Sequence, residues 1–210
     1  MTTVKENRER AKAERAAVTQ SRIVDAASEL FRERGYVATT IDAVAERAGV
    51  VVQTIYNSVG NKAAVLNAVF DATVSGPESP LSVPEFMRAR MDAADGLEGA
   101  VEVLTDWLVD VNARAHGIHA LIRQAAAIDA DVAELERSRA LRRLHNYEGA
   151  AARFRELGGV DACSTDAEVA AAIWAVGHPD AYRALVLDSG WTEDAYRSWL
   201  RRSLLALSAS

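Results

Sequence analysis

Gln53, Thr54, Tyr56, Asn57 and Lys62 fall within a short stretch, "VVVQTIYNSVGNK". The spacing predicts a helix over about Val51 to Ser58, with Ile55 facing a core and the four polar residues facing outward. Such a face suits base edges and phosphates: Gln and Asn can pair bidentately with adenine, and the Thr methyl can meet the thymine methyl. Lys62 stands at the first turn of the next helix, where a cation opposes the macrodipole. A phosphate bound there would be held by backbone N–H groups and the ammonium together. The alternative is a solvated lysine costing about 0.3–1 kcal/mol at most. The chemistry indicated is nucleic-acid recognition.

Three helices must position these residues. "SRIVDAASELFRERG" sets Ile23, Ala27, Leu30 and Phe31 on one face, and Gly35 supplies a C-terminal stop. "YVATTIDAVAERAGV" follows, with Ile41, Val44, Ala45 and Ala48 as its buried face and Gly49 as its end. Thr40 can cap this helix, while Thr39 with Asp42 offers a competing capping box. The helix after Gly49 is too short to stand alone, so it must pack on its neighbours. Two short helices about a tight glycine turn, braced by a third, make a helix-turn-helix whose second helix enters the major groove. After "GNK", Asn61 caps a fourth helix carrying Val65, Ala68, Val69 and Ala72.

The remainder of the 210 residues also reads as helical. Half the chain is apolar, Ala recurs throughout, and three of the four prolines crowd into "SGPESPLSVP", the clearest loop. Amphipathic segments follow around Val101–Val111, Leu121–Ile128 and 131–157. The last carries Leu135, Leu141, Leu144, Tyr147, Ala151, Phe154 and Leu157 on its expected stripe. Thr165 with Glu168 forms a capping box, Pro179 interrupts and restarts a helix, and Thr192 opens the last one. The expectation is an all-α chain of roughly nine or ten helices. Residues 1–20 read as an arm that can extend the first helix.

Charge is uneven: the residues up to Lys62 sum to +2 and the remainder to −8, within a total of −6. That asymmetry fits a nucleic-acid-facing part and a part with another task. The N-terminus lacks the apolar segment of a secretory leader, and the longest apolar run, "AAAIWAV", is too short to span a bilayer. A soluble cytoplasmic protein is expected. No phosphate-binding Gly loop, nucleophile elbow or HExxH motif is present, which argues against an enzyme. Cys163 is the one cysteine, so no intrachain disulfide or multi-cysteine metal site can form. His116 and His119 share a face but lack a third ligand nearby in sequence, so neither a metal nor another cofactor is expected.

"GYVATTIDAVAERAGVVVQTIYNSVGNKAAVL" resembles the N-terminal DNA-binding domain of the TetR-type transcriptional regulators through its "GY…TT" approach, "VAERAGV", "TIY" and "K" before an apolar pair. A weaker likeness to some actinobacterial members lies in "GHPDAYRALVLDSGWTEDAYRSWL". The resemblance implies a three-helix helix-turn-helix domain at 21–66 and a helical effector-binding and dimerisation domain at 67–210. Thr40, Val51, Gln53, Thr54, Tyr56, Asn57 and Lys62 would be the DNA-facing positions, with Tyr56 and Lys62 as phosphate anchors and Gln53 and Asn57 as base readers. Two departures stand out. Val51 occupies the place of a small hydroxyl cap, and "NSV" replaces the usual aromatic-His-Phe. An effector pocket would lie among Trp107, His116, Arg123, Asn146, Tyr147, Trp174, His178 and Tyr182. Trp199, Leu204 and Leu207 would anchor a homodimer. The function implied is a repressor that binds a palindromic double-stranded operator as a dimer and is released by a small molecule. The alternative is a DNA-binding protein without such a pocket, controlled by a protein partner.

Overall fold

A computed structural model describes residues 4–75 and 82–208, with side chains over 6–75 and 82–207. Most of the proline-rich loop, and residues 1–3 of the expected arm, lie outside the described residues. Those described are helical, with no strand among them. The order is α1 (Val4–Ala38), α2 (Ile41–Ala48), α3 (Val52–Ser58), α4 (Lys62–Ser75), α5 (Val83–Asp92), α6 (Gly96–Ala126), α7 (Ala130–Glu156), α8 (Asp166–Val176), α9 (Pro179–Tyr182) and α10 (Glu193–Ser208). A π-helical segment, Arg183–Asp188, continues α9. No helix among the described residues is long and apolar enough to cross a membrane.

The chain forms two compact units. One comprises Met1–Thr73 with Ala120–Leu135, the other Val74–His119 with Glu136–Ser210. The first unit therefore includes the turn joining α6 to α7, which lies beyond the 21–66 segment read as one domain.

In the first unit α1 starts at Val4, so residues 4–20 of the arm extend the first helix. Residues 4–20 lack an apolar stripe, but Lys, Glu, Arg and Ala are good helix formers, and Arg10 pairs with Glu14 one turn on at 3.1 Å. Gly35, at φ 73°, breaks the helical path inside the assigned α1, so the chain turns there as expected. Only a residue tolerant of the left-handed region serves at that point. The core joins Ile23, Leu30 and Phe31 of α1 to Val44 of α2, Ile55 of α3, and Val65 and Leu66 of α4, all nearly or wholly buried. Burying Ile55 completely contributes about 1.5–3 kcal/mol, which is what holds a helix of seven residues in place.

The second unit packs α6, α7, α8 and α10 around Leu104, Leu108, Phe154, Ile173, Tyr196, Leu200 and Leu204. Three local features depart from the sequence pattern. The segments around Val101–Val111 and Leu121–Ile128 join in one helix, α6, because Gly117 and its surroundings supply no cap or proline to stop it. Ile128 is left exposed in the turn after it. On α7 the expected stripe is buried or half-buried except at Leu141, which points to solvent at 70% exposure while Arg139 is buried at 6%.

Candidate nucleic-acid interface

The reading face begins at the start of α2. The Thr40 hydroxyl accepts the Ala43 N–H at 3.1 Å and caps the helix. Thr39 does not provide the competing box. Its buried hydroxyl is directed to the carbonyls of Gly35 at 2.8 Å and Leu30 at 3.1 Å, fastening the turn into α1. At the other end of α2, Gly49 adopts φ 64° and its N–H closes on the Ala45 and Glu46 carbonyls. The Arg22 guanidinium donates to the Ala48 carbonyl at 2.5 Å, so α1 caps α2 across the turn. Arg47 adds ion pairs to Glu29 at 2.9 Å and Glu33 at 3.2 Å.

Val51 is the N-cap of α3, at φ −85° and ψ 150°, and makes no side-chain cap bond. Its carbonyl accepts the Thr54 N–H at 2.8 Å. The side chain is 68% exposed. Gln53, Tyr56 and Asn57 are exposed and Thr54 half-buried, so α3 does present its polar residues. The Gln53 amide donates to Asn57 Oδ1 at 2.9 Å, linking the two as one hydrogen-bonded pair. This leaves Gln53 Oε1 to accept and the Asn57 amide N–H groups to donate.

Lys62 is neither a freely solvated cation nor a bare clamp. Its ammonium sits 4.2 Å from the Tyr36 ring centroid and donates to the Val37 carbonyl at 3.3 Å. Burial lowers its pKa, and the charge of Asp129 works the other way. Tyr36 is itself held. It is stacked near Phe31, with centroids 5.9 Å apart, and its hydroxyl donates to Asp129 Oδ2 at 2.6 Å. The Tyr36 hydroxyl and two backbone N–H groups keep the Asp129 carboxyl below its ordinary range. Asn61 caps α4 by accepting the Ala64 N–H at 2.9 Å, and donates to Asp131 at 2.8 Å. Asp129, on the α6–α7 turn, and Asp131, in the first turn of α7, thus grip the residues that carry Lys62. Sequence patterns do not point to these two aspartates, since their partners lie 93 and 70 residues away.

Of the expected pocket residues in the second unit, several come together. Trp174 meets His178 edge-on at 4.4 Å and Tyr147 at 6.3 Å, while His116 stacks on Tyr182 at 5.8 Å. Trp107 packs against the core cluster. Two of the expected residues lie apart from these rings. Asn146 is exposed, because the face of α7 that turns inward carries Tyr147 instead. Arg123 is exposed and belongs to the first unit. Arg143, which the sequence reading did not single out, lies beside these rings, its guanidinium 4.1 Å from the Trp174 ring centroid. It sits four residues before Tyr147, a helical spacing that could have flagged it. Asn112 was missed as well; it donates to the Gly177 carbonyl at 3.0 Å and the Tyr196 hydroxyl at 3.1 Å. Leu204, expected at a dimer interface, is wholly buried in its own unit, so its surface is already covered there. Trp199 and Leu207 are half-buried on the same cluster.

A braced three-helix corner with a polar outward face on its last short helix defines a helix-turn-helix protein. Residues 23–69 match the family model described as bacterial regulatory proteins, tetR family. Through these residues the chain is similar to the DNA-binding part of that family. It is 42% identical over 67 residues to an uncharacterised HTH-type transcriptional regulator, YdeS, of Bacillus subtilis. That match spans about a third of either chain, 32% of each. Among solved structures it is similar to NalD of Pseudomonas aeruginosa, described as the secondary repressor of the MexAB-OprM multidrug efflux pump. The TM-score is 0.67 at 20% identity, covering 93% of this chain and 98% of that one. It is also similar to FadR of Bacillus subtilis in complex with stearoyl-CoA, with a TM-score of 0.63 at 16% identity, covering 89% and 98%. A third neighbour, a SmeT–triclosan complex, has a TM-score of 0.67 at 20% identity over 92% of each chain. These structural likenesses establish the fold.

Proposed function

We propose that the chain is a ligand-responsive transcriptional repressor. Residues 21–66 read DNA, and 67–210 bind an effector and form the homodimer. A C2 dimer sets two copies of α3 into the major groove of a palindromic operator, about 34–36 Å apart. An effector shifts the population toward a conformer with the wrong spacing, and the operator is released. The observation that carries this reading is the outward face of α3, where Gln53 and Asn57 form one amide pair beside Tyr56.

Each site residue has a role in that reading. Gln53 Oε1 and the Asn57 amide are a base-reading pair, Thr54 and Val51 offer methyl groups to thymine, and Tyr56 and Lys62 hold phosphates. Thr40 caps α2 through its oxygen and keeps its hydroxyl proton for a phosphate. The α6–α7 turn carries the signal: any displacement of Asp129 and Asp131 moves the platform of Tyr36 and Asn61 on which Lys62 rests. Trp199 and Leu207 anchor the dimer; Leu204 does not. The neighbours described with triclosan and stearoyl-CoA support control by a small molecule, without indicating which one acts here.

Operator footprinting and fluorescence anisotropy test the reading with two substitutions. Lys62→Ala weakens binding to every sequence and lowers the salt slope by about one, because one phosphate contact is lost. Gln53→Ala relaxes preference at one operator position, by about 1–3 kcal/mol. If neither substitution changes DNA binding, the assignment of this face is wrong.

A further inference from the structure

Arg143 is half-buried and packed over Trp174, yet among the described residues it has no hydrogen bond and no carboxylate within ion-pair distance. A guanidinium over a ring and without a hydrogen-bond partner has N–H groups to offer a carboxylate. The same inward side of α7 carries Glu136, whose Oε2 is buried with no hydrogen-bond partner among the described residues. Arg139 lies buried between them in sequence, while Leu141 is turned to solvent. Between Glu136 and Arg143, α7 turns charged side chains inward and Leu141 outward, unlike its later turns, where Ala151 and Phe154 enter the apolar core. A buried acceptor without a partner, and a desolvated cation without a counter-ion, are both costly states that a ligand relieves. Burial lowers the Arg143 pKa, and Glu136 attracts it without bonding to it. Tyr147, Trp174 and His178 supply adjoining ring surfaces.

We propose that this cluster binds a planar aromatic carboxylate bearing a hydroxyl group. The carboxylate takes the N–H edge of Arg143, the hydroxyl donates to Glu136 Oε2, and the ring packs against Trp174 and Tyr147. This deepens the effector-binding part of the repressor reading by giving the effector's chemical class, and it rests on that reading only for its regulatory meaning.

Titration calorimetry on the full chain tests it, using 3-hydroxybenzoate, 4-hydroxybenzoate and 6-hydroxy-2-naphthoate as probes. Their methyl esters serve as neutral isosteres, and benzoate and 2-naphthoate as acids lacking the hydroxyl. Tryptophan fluorescence, compared with Trp174→Phe, reports on the site. At least one hydroxy acid binds, its ester binds about tenfold more weakly or worse, and Arg143→Gln gives a similar loss. Glu136→Gln weakens the hydroxy acids more than benzoate or 2-naphthoate. The acid–ester comparison uses unmodified protein and so stands even if a variant misfolds. Equal binding of acids and esters overturns the proposal, as does no binding by any hydroxy acid at millimolar concentration. Operator binding without ligand is measured separately: its absence refutes the DNA-binding reading, whereas an unresponsive cluster with intact operator binding refutes only this one.

Discussion

Replacing Val51 by Thr should stabilise the protein by supplying α3 with the cap it lacks. The backbone at Val51 already has the extended geometry of an N-cap, at φ −85° and ψ 150°, so no rearrangement is needed. Removing a Ser or Thr cap typically costs about 0.5–2 kcal/mol, and restoring one can return a comparable amount. Two features of the structure set the expected size. Val51 is 68% exposed, so exchanging one methyl for a hydroxyl forfeits little packing. The Thr54 N–H is already bonded to the Val51 carbonyl at 2.8 Å, leaving the Gln53 N–H as the donor to gain. The gain should therefore fall in the lower half of the range, about 0.5–1 kcal/mol, or a rise in Tm of about 1–4 °C. Urea and thermal unfolding followed by circular dichroism measure it, with Val51→Ala as the uncapped control. Should Val51→Thr and Val51→Ser both prove no more stable than Val51→Ala, the account of α3 as an uncapped helix is wrong. If α3 frays in the free protein, the same change tightens operator binding by up to about fivefold, since the competent state becomes more populated.

Further tests address the elements around α3. Gly49→Ala should cost about 1–2 kcal/mol, because an L side chain is strained at φ 64° and its Cβ would lie 2.8 Å from the Arg22 guanidinium. Gly49→Asn should cost less, and denaturation curves in which Ala is the better tolerated of the two would refute the argument. Tyr36→Phe keeps the ring under Lys62 but deletes the bond to Asp129, costing about 1 kcal/mol because Asp129 stays partly solvated. That penalty depends on pH. The Asp129 pKa is depressed from its ordinary 3.8, so its contribution is complete well above that value and lost as pH falls below it. The Tyr36 pKa is raised from 10.0, so the contribution is present below that value and lost as the phenol ionises at higher pH. The stability difference between wild type and Tyr36→Phe should therefore be greatest near neutrality and shrink at acid pH, and a pH-independent difference would count against the bond.

What could be read from the sequence was what short-range chemistry determines. Gly35 and Gly49 turn the chain where a left-handed residue was needed. Asn61 caps α4, and Thr165 exchanges bonds with Glu168 at 3.2 and 2.8 Å at the head of α8. Each of these devices spans five residues or fewer. The choice between Thr39 and Thr40 stayed open in sequence because it depends on where the Thr39 hydroxyl points. A carbonyl nine residues back, on Leu30, helps decide it. Periodicity placed most of the α7 stripe, including Ala151 and Phe154, and failed at Leu141, since spacing says which residues are apolar but not where a neighbour covers them. Trp174, on another helix, draws Arg143 onto its ring. The α6–α7 turn was invisible for the same reason: Asp129 and Asp131 look like the polar start of a helix until their partners are located.

The hydrogen bond between Gln53 and Asn57 bears on how an operator should be described. Two side chains that share a bond do not read their base pairs independently. Rotating one to suit a new base breaks the pair and changes what the other can offer. The effects of double base changes at the positions they face should depart from the sum of the single changes, and Gln53→Ala with Asn57→Ala should be similarly non-additive. A binding-site profile that scores each position separately would then misrank operators at this step, where the dinucleotide is the unit of recognition.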